Sequence, residues 1–292
     1  MGAAGARAKG GVTFVSVPEE STFSGDEIAA AWERYRTRLF ESQRRLSEWL
    51  VDHVDPQPGQ TILEVTAGPG ETGFLAAERV GTDGRLISSD LNPAMVDAAR
   101  RGAEARGFTN VEFRVIDAQQ IELPDASVDG VLSRFGLMLV PEPDRAFPEC
   151  RRVLRPGGHL AYAVWGPIDR NPWLTSLVGA MVQHGHTPPF DPFGPGGVFS
   201  LAEPQANNDV LAAAGFTEVE FEEIPGTQDY ASLDEYWDVQ TAIAGPVSGI
   251  IRSLPEAERV AIKTTLEPMV APYRSDDGSL RLPTLAIGVS AA

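Results

Sequence analysis

The chain has 292 residues, with 24 Lys and Arg against 41 Asp and Glu, a formal net charge of −17. An apolar fraction of 42% supplies a sizeable core and excludes a disordered chain. The acidic balance argues against nucleic acid and against an anionic membrane surface, since both require a basic face. A single cysteine, Cys150, excludes an intrachain disulfide framework and a Cys-rich zinc site. No run approaches the ~18 apolar residues of a membrane span, and the amino terminus lacks the apolar core of a signal peptide. A cytoplasmic protein is expected.

Residues 1–21 are rich in Gly and Ala and read as a flexible tail ahead of a single domain over 22–292. Ser24-Gly-Asp-Glu27 has capping-box spacing before one long amphipathic helix over about 26–53, where Trp32, Tyr35, Leu39, Leu46, Trp49 and Leu50 fall roughly at the three-to-four spacing of one helix face. From Thr61 the pattern alternates. Strands are predicted at Thr61–Val65, Arg85–Ser89, Val111–Ile116, Val128–Ser133 and His159–Trp165, and helices at Glu71–Val80, from Pro93 to about Arg106, and over about 143–154. Asn92-Pro93 is a cap followed by proline at the first helical position. Pro148 is expected to kink or shorten its helix, and Pro156-Gly157-Gly158 to form a turn. The succession predicts an α/β fold: a Rossmann-like, doubly wound, seven-stranded, mostly parallel sheet with helices on both faces. Beyond Trp165 the alternation stops. A Pro/Gly/Phe-rich stretch over 166–200 leads to a helix over about 204–214, a strand at Val219–Ile224, helical sequence over 232–270 and a last strand at Leu282–Ser290. Segments 22–55, 166–215 and 231–280 are expected to form a helical lid over the site.

The most informative stretch is Ile62-Leu-Glu64-Val-Thr-Ala-Gly68-Pro-Gly70-Glu71-Thr-Gly73, a strand running through a glycine turn into a helix. Gly68 and Gly70 let a ligand approach the backbone because no Cβ intervenes, and Gly73 lets helix and strand pack closely. The pattern matches the G-x-G-x-x-G dinucleotide fingerprint, and Asp90, 20 residues after Gly70, stands where a carboxylate grips ribose hydroxyls. Glu64 and Glu71 argue against a pyrophosphate, which two carboxylates at a helix N-terminus would repel. A ligand with a ribose, an ammonium and a sulfonium, and no phosphate, suits the turn better.

Glu64-x-x-x-Gly68-x-Gly70 resembles motif I of the class I S-adenosylmethionine (SAM) dependent methyltransferases. Asp90-Leu91-Asn92 is similar to that family's ribose-binding strand end, Asp117-Ala118 to its adenine-binding dipeptide, Ser133-Arg134-Phe135 to the loop beside the methionine moiety, and Arg152-Val-Leu-Arg-Pro-Gly-Gly158 to its lead into the fifth strand. The matches cover about 60–165, and the branch they resemble is the small-molecule enzymes similar to the quinone-biosynthesis C-methyltransferases. Thr66 stands where the family often has glycine, which bears on the backbone shape of the loop. The resemblance implies SAM as cofactor, with S-adenosyl-L-homocysteine as its product, and methyl transfer by in-line displacement (EC 2.1.1.-). The backbone of Ala67, Gly68 and Gly70 would line the amino-acid moiety and ribose. Glu64 would offer charge near the ammonium, and Asp90 would accept from both ribose hydroxyls. Asp117 and Ala118 would bind the adenine edge, with Leu91 and Met138 as apolar walls. Ser133 would give a carbonyl to the ammonium, and Arg134 would reach the carboxylate. Each has a plainer reading: Glu64 tying down nearby amides, Asp117 as a turn residue, Arg134 as an ion-pair partner, Met138 as core.

For the acceptor, Trp32, Tyr35, Trp165 and Trp173 lead an aromatic supply that also includes Phe190, Phe193, Phe199, Tyr230, Tyr236 and Trp237. They suit an apolar or aromatic small molecule, or form the core of the lid itself. His184-Gly-His186 offers a general base for a phenol or enol, with loop residues or an incomplete metal site as the other readings. No resident metal, nucleic acid or membrane partner is expected, and a homodimer is left open. The competing functions are an NAD(P)-dependent oxidoreductase built on the same glycine pattern, and a SAM-fold protein with a non-methylating activity.

Overall fold

The first helical stretch is two helices, α1 (Asp26–Ser42) and α2 (Arg44–Val54), broken at Gln43, whose backbone leaves the helical region at φ −123° and ψ 17°. The computed structural model describes residues 25–292. Ser24 of the expected capping box and the Gly/Ala-rich 1–21 segment therefore lie outside the described residues, and α1 is preceded by Gly25, which has no side chain to cap it. The break has a packing cause. The apolar face of α2 (Leu46, Leu50, Val51, Val54) is buried against β-strands. A Cβ on Gly130 or Gly288 of those strands would come within 2.3 Å of Val54 or 2.7 Å of Trp49. From the expected lid segment 22–55, α2 is thus seated on the sheet, and α1 alone crosses toward the later helices.

The alternating region gives β1 (Thr61–Glu64), α3 (Glu71–Val80), β2 (Arg85–Asp90), α4 (Pro93–Arg106), β3 (Val111–Val115), β4 (Val128–Arg134), α5 (Pro143–Val153) and β5 (Leu154–Trp165). The expected cap is present, the Asn92 side chain accepting from the Ala94 amide at 2.9 Å. Helix α5 runs through Pro148 without ending there, its face of Ala146, Phe147, Cys150 and Val153 fully buried. The turn expected at Pro156-Gly157-Gly158 lies inside β5 instead. Val128 pairs with Leu154 and Gly130 with His159, so the extra residues bulge out of the ladder. Then follow α6 (Pro172–Gln183), α7 (Pro204–Ala213), β6 (Glu220–Tyr230), α8 (Leu233–Ile243), α9 (Pro246–Ser253), α10 (Glu256–Val270) and β7 (Leu280–Ala291).

Among the described residues seven strands form one sheet in the order β3-β2-β1-β4-β5-β7-β6. The first five are parallel, and β7 runs antiparallel to both β5 and β6. This is the Rossmann-like architecture expected. The edge strand β6 carries Pro225 and exposed Glu220, Glu222 and Glu223, devices that discourage pairing with another edge. The strand order reverses between β1 and β4, and the carboxyl ends of such strands open a crevice for a ligand. Among the described residues no helix is long and apolar enough to cross a membrane.

Candidate active site

At the end of β1 the chain turns through Thr66 and Gly68, both in the left-handed region at φ +56° and +54°. The turn is pinned to its neighbours: the Val65 amide donates to Leu132 of β4 at 3.0 Å, and Ala67 to Ser89 of β2 at 2.8 Å. A Cβ on Gly68 would meet nothing within 4 Å among the described residues, so this is where a ligand can lie against the backbone. The other two glycines serve packing. A Cβ on Gly70 would press on Phe74 and Ala99 at 3.0 and 3.1 Å, and one on Gly73 would strike the Glu64 carboxylate at 2.2 Å.

Asp90 closes β2. One carboxylate oxygen accepts from the Gly68 amide at 2.8 Å and the other from Asn92 at 2.9 Å. Burial raises its pKa, while the amides of Asn92, Gly68 and Leu91 hold it down. Each oxygen has a further lone pair for a ligand hydroxyl. Leu91, beside it, is 56% exposed.

Both glutamates are engaged within the fold, Glu64 in the plainer of its two readings, on a nearby amide. Glu64 is 1% exposed and turns under α3, accepting from the Gly73 amide at 2.9 Å. Its other oxygen is buried without a partner among the described residues. Burial pushes its carboxyl up to about 8, against the Gly73 amide and Arg134, which favour the anion. Burial therefore favours its uncharged form. Glu71 is bridged by Arg36 of α1 at 2.5 Å and Arg106 of α4 at 2.5 Å. The repulsion of a pyrophosphate expected from this pair is thus weakened: burial disfavours the charge on one carboxyl, and two arginines pair the other. Arg36 also donates to the Pro69 carbonyl at 2.7 Å and that of Ala98 at 3.3 Å. It ties the first helix to the glycine turn, and nothing in its sequence neighbourhood announces that.

At the end of β4, the buried Ser133 hydroxyl meets that of Thr66 at 2.7 Å. The Thr66 side chain fills the space over Gly136, where a Cβ would come within 1.8 Å of its hydroxyl. Arg134 donates to Ser47 of α2 at 3.2 Å. Phe135, at φ +63°, stacks on Trp165 with ring centroids 3.9 Å apart. Asp117 accepts from the Gln119 amide at 2.8 Å in a turn after β3, next to the buried Ala118. Met138 is 2% exposed and its carbonyl takes the Ser200 hydroxyl at 2.7 Å.

Gly68, Asp90, Leu91, Ser133 and Arg134 thus come together at the crevice from three strand ends. The set fits SAM: an open Gly68 backbone, a carboxylate with lone pairs to spare for a ribose, and an exposed apolar side chain beside it. Trp165 and Trp173 lie with ring centroids 4.8 Å apart, are 6% and 7% exposed, and continue the stack from Phe135. Trp32, packed against Met95, donates its indole N–H to Ile243 at 3.2 Å, and Tyr35 packs nearby on the same helix. His184 and His186 stand at the far end of α6, roughly 16 Å along the helix from Trp173 at 1.5 Å per residue. There they bond Thr265 at 2.8 Å and Glu258 at 3.1 Å of α10.

Residues 62–158 match a family model described as a methyltransferase domain. The chain is 31% identical over 204 residues to nocamycin O-methyltransferase of Saccharothrix syringae, covering 66% of this chain and 71% of that protein. It is also 31% identical over 137 residues to a ubiquinone/menaquinone biosynthesis C-methyltransferase of Hahella chejuensis, covering 46% of this chain and 55% of that one. Across the first curated relatives the match spans from 27% to 71% of the relative's length. The solved structure of the YcgJ protein of Bacillus subtilis shares the fold, with a TM-score of 0.56 at 18% identity over 85% of this chain and 97% of that one.

Proposed function

Because this chain belongs to the class I SAM-dependent methyltransferases and uses SAM as its cofactor, we propose that it methylates a small, apolar or aromatic molecule bound beneath α1, α6 and α8. The observation that carries the reading is the Gly68–Asp90 junction, an open glycine backbone clamped to a carboxylate that keeps lone pairs for a ribose. SAM supplies a methyl group already activated by a positive sulfur. The work left to the protein is to position the acceptor in line, at ~3–3.5 Å, and to exclude water.

Asp90 holds the ribose hydroxyls and at the same time fixes the turn through Gly68. Leu91 and Ala118 flank the adenine, with the Asp117 turn at its edge. Ser133 and Arg134 face the amino-acid end, Arg134 with guanidinium N–H groups beyond the one given to Ser47. Glu64 acts on the backbone, holding α3 to β1 through Gly73. The Phe135–Trp165–Trp173 stack walls the transfer site and keeps it dry. No side chain is assigned as a base, because both histidines are engaged with α10. Two relatives bear the names of small-molecule methyltransferases, which supports an acceptor of that class. Parallel calorimetric titration with SAM, S-adenosylhomocysteine and NADH tests the cofactor half: micromolar binding of the two sulfur nucleosides alone is expected, and binding of NADH alone would refute it. Methyl-labelled SAM with product analysis separates methyl transfer from a non-methylating reaction.

A further inference from the structure

Helix α8 places Tyr236, Gln240 and Ile243 on one face, at spacings of four and three, and all three are buried. The ends of this stripe touch two tryptophans. The Tyr236 hydroxyl donates to the Trp173 carbonyl at 2.5 Å, and the Ile243 carbonyl accepts from the Trp32 indole at 3.2 Å. Gln240 sits midway and is 0% exposed. Its amide nitrogen donates to the Tyr230 hydroxyl at 2.7 Å and to the Gln228 side-chain oxygen at 3.1 Å. Tyr230 also donates to Gln228, and its ring meets that of Tyr236 edge-on, with centroids 5.1 Å apart. The donors of the amide are therefore spent on holding it still. Among the described residues its carbonyl oxygen is buried with no partner.

A buried amide oxygen that accepts nothing costs its full desolvation penalty, which native interiors avoid. A network that fixes the amide and leaves that one atom unpaired is organised for a partner from outside the chain. Trp173, held by Tyr236 on the same helix, belongs with Trp165 and Phe135 to the aromatic wall assigned above to the acceptor, and Trp32, bonded to Ile243, is a further acceptor-side ring. We infer that Gln240 is a specificity-determining residue: its carbonyl accepts a hydrogen bond from a hydroxyl or N–H carried on an otherwise apolar acceptor. This rests on the reading of a small aromatic or apolar acceptor held between α1, α6 and α8. A site built to hydrogen-bond a ligand hydroxyl rejects the analogue lacking it far more strongly than an apolar pocket rejects a change of size.

The test uses the full chain saturated with S-adenosylhomocysteine and matched probes, naphthols and hydroxyanthraquinones against their methyl ethers, with affinities from calorimetry. The expected result is that the parent prefers the hydroxylated member by about 10-fold or more. Gln240→Leu should bring the ratio close to one through loss of the hydroxylated member alone. Gln240→Met, closer in shape, serves if the leucine variant melts early, and its ratio must collapse in the same way. A preference that survives either substitution in folded protein, or a parent that binds both members equally, overturns the role of Gln240 and leaves the acceptor class standing. A parent that binds S-adenosylhomocysteine and no member of any pair overturns the acceptor class itself, and Gln240 with it.

Discussion

Arg36 gives the sharpest test of how this fold is held together, because a single glycine on a different helix makes room for it. Its guanidinium pairs with Glu71 at 2.5 Å and donates to the Pro69 and Ala98 carbonyls, with side-chain exposures of 15% for Arg36 and 3% for Glu71. A Cβ on Gly102 of α4 would stand 1.9 Å from Arg36 Nη2. Breaking one side of a buried pair costs about 3–5 kcal/mol. Arg106 still neutralises Glu71 at its other oxygen, so Arg36→Ala should fall at or just below the low end, about 2–3 kcal/mol. That corresponds to a melting point lower by roughly 3–6 °C for a domain of this size. Gly102→Ala in the parent must push the guanidinium off its partners and should also destabilise. Combined with Arg36→Ala, the same change should become stabilising by up to ~1 kcal/mol, since alanine is the better helix former once the guanidinium is gone. Four proteins followed by thermal and urea unfolding complete the cycle. A Gly102→Ala effect of the same sign and size in both backgrounds would refute the proposed coupling, as would an Arg36→Ala protein that melts with the parent.

Other outcomes follow from the same geometry. Asp90→Ala should weaken S-adenosylhomocysteine binding by ~2 kcal/mol or more, the loss of a charged hydrogen-bonding partner; unchanged calorimetric affinity would put the ribose elsewhere. Gly136→Ala should destabilise by about 1–3 kcal/mol through overpacking against Thr66, and Thr66→Gly in the same chain should restore most of it, because it removes the obstructing side chain and relieves a positive φ. Equal melting points for Gly136→Ala with and without Thr66→Gly would sink that account. For Glu64 the folded carboxyl keeps its proton to about 8 while the unfolded one releases it near 4.5. The unfolded state therefore binds fewer protons between these values, and stability falls as pH rises through that window. The parent should lose a few kcal/mol relative to Glu64→Gln between about pH 5 and pH 8; parallel melting curves across that range would contradict it.

Much of this protein is determined locally and can be read from the chain. The central parallel strands are largely buried on both faces, so they carry apolar runs such as Ile62-Leu63 and Leu160–Trp165. Asn92-Pro93 starts α4 by its own side-chain bond, and the Gly68 turn needs a backbone few other residues adopt. Spacing alone placed Asp90 at a strand end, because a strand-helix-strand unit has a nearly fixed length. What depends on distant partners was not legible. One amphipathic stretch reads as one helix, and only the sheet surface that seats α2 splits it at Gln43. The Pro156-Gly157-Gly158 turn is absorbed into β5 because Leu154 finds a partner in Val128. Glu64 and Glu71 read as a pair of negative charges, yet charge is a property of surroundings: burial under α3 disfavours the charge on one, and arginines from α1 and α4 pair the other. The same holds for Gln240, an unremarkable glutamine whose buried oxygen, unpaired among the described residues, exists only once α8 and β6 are assembled. Sequence spacing dictates backbone geometry through short-range sterics and hydrogen bonds, whereas protonation, pairing and the fate of a polar atom are decided by whichever distant groups the fold brings within a few ångströms.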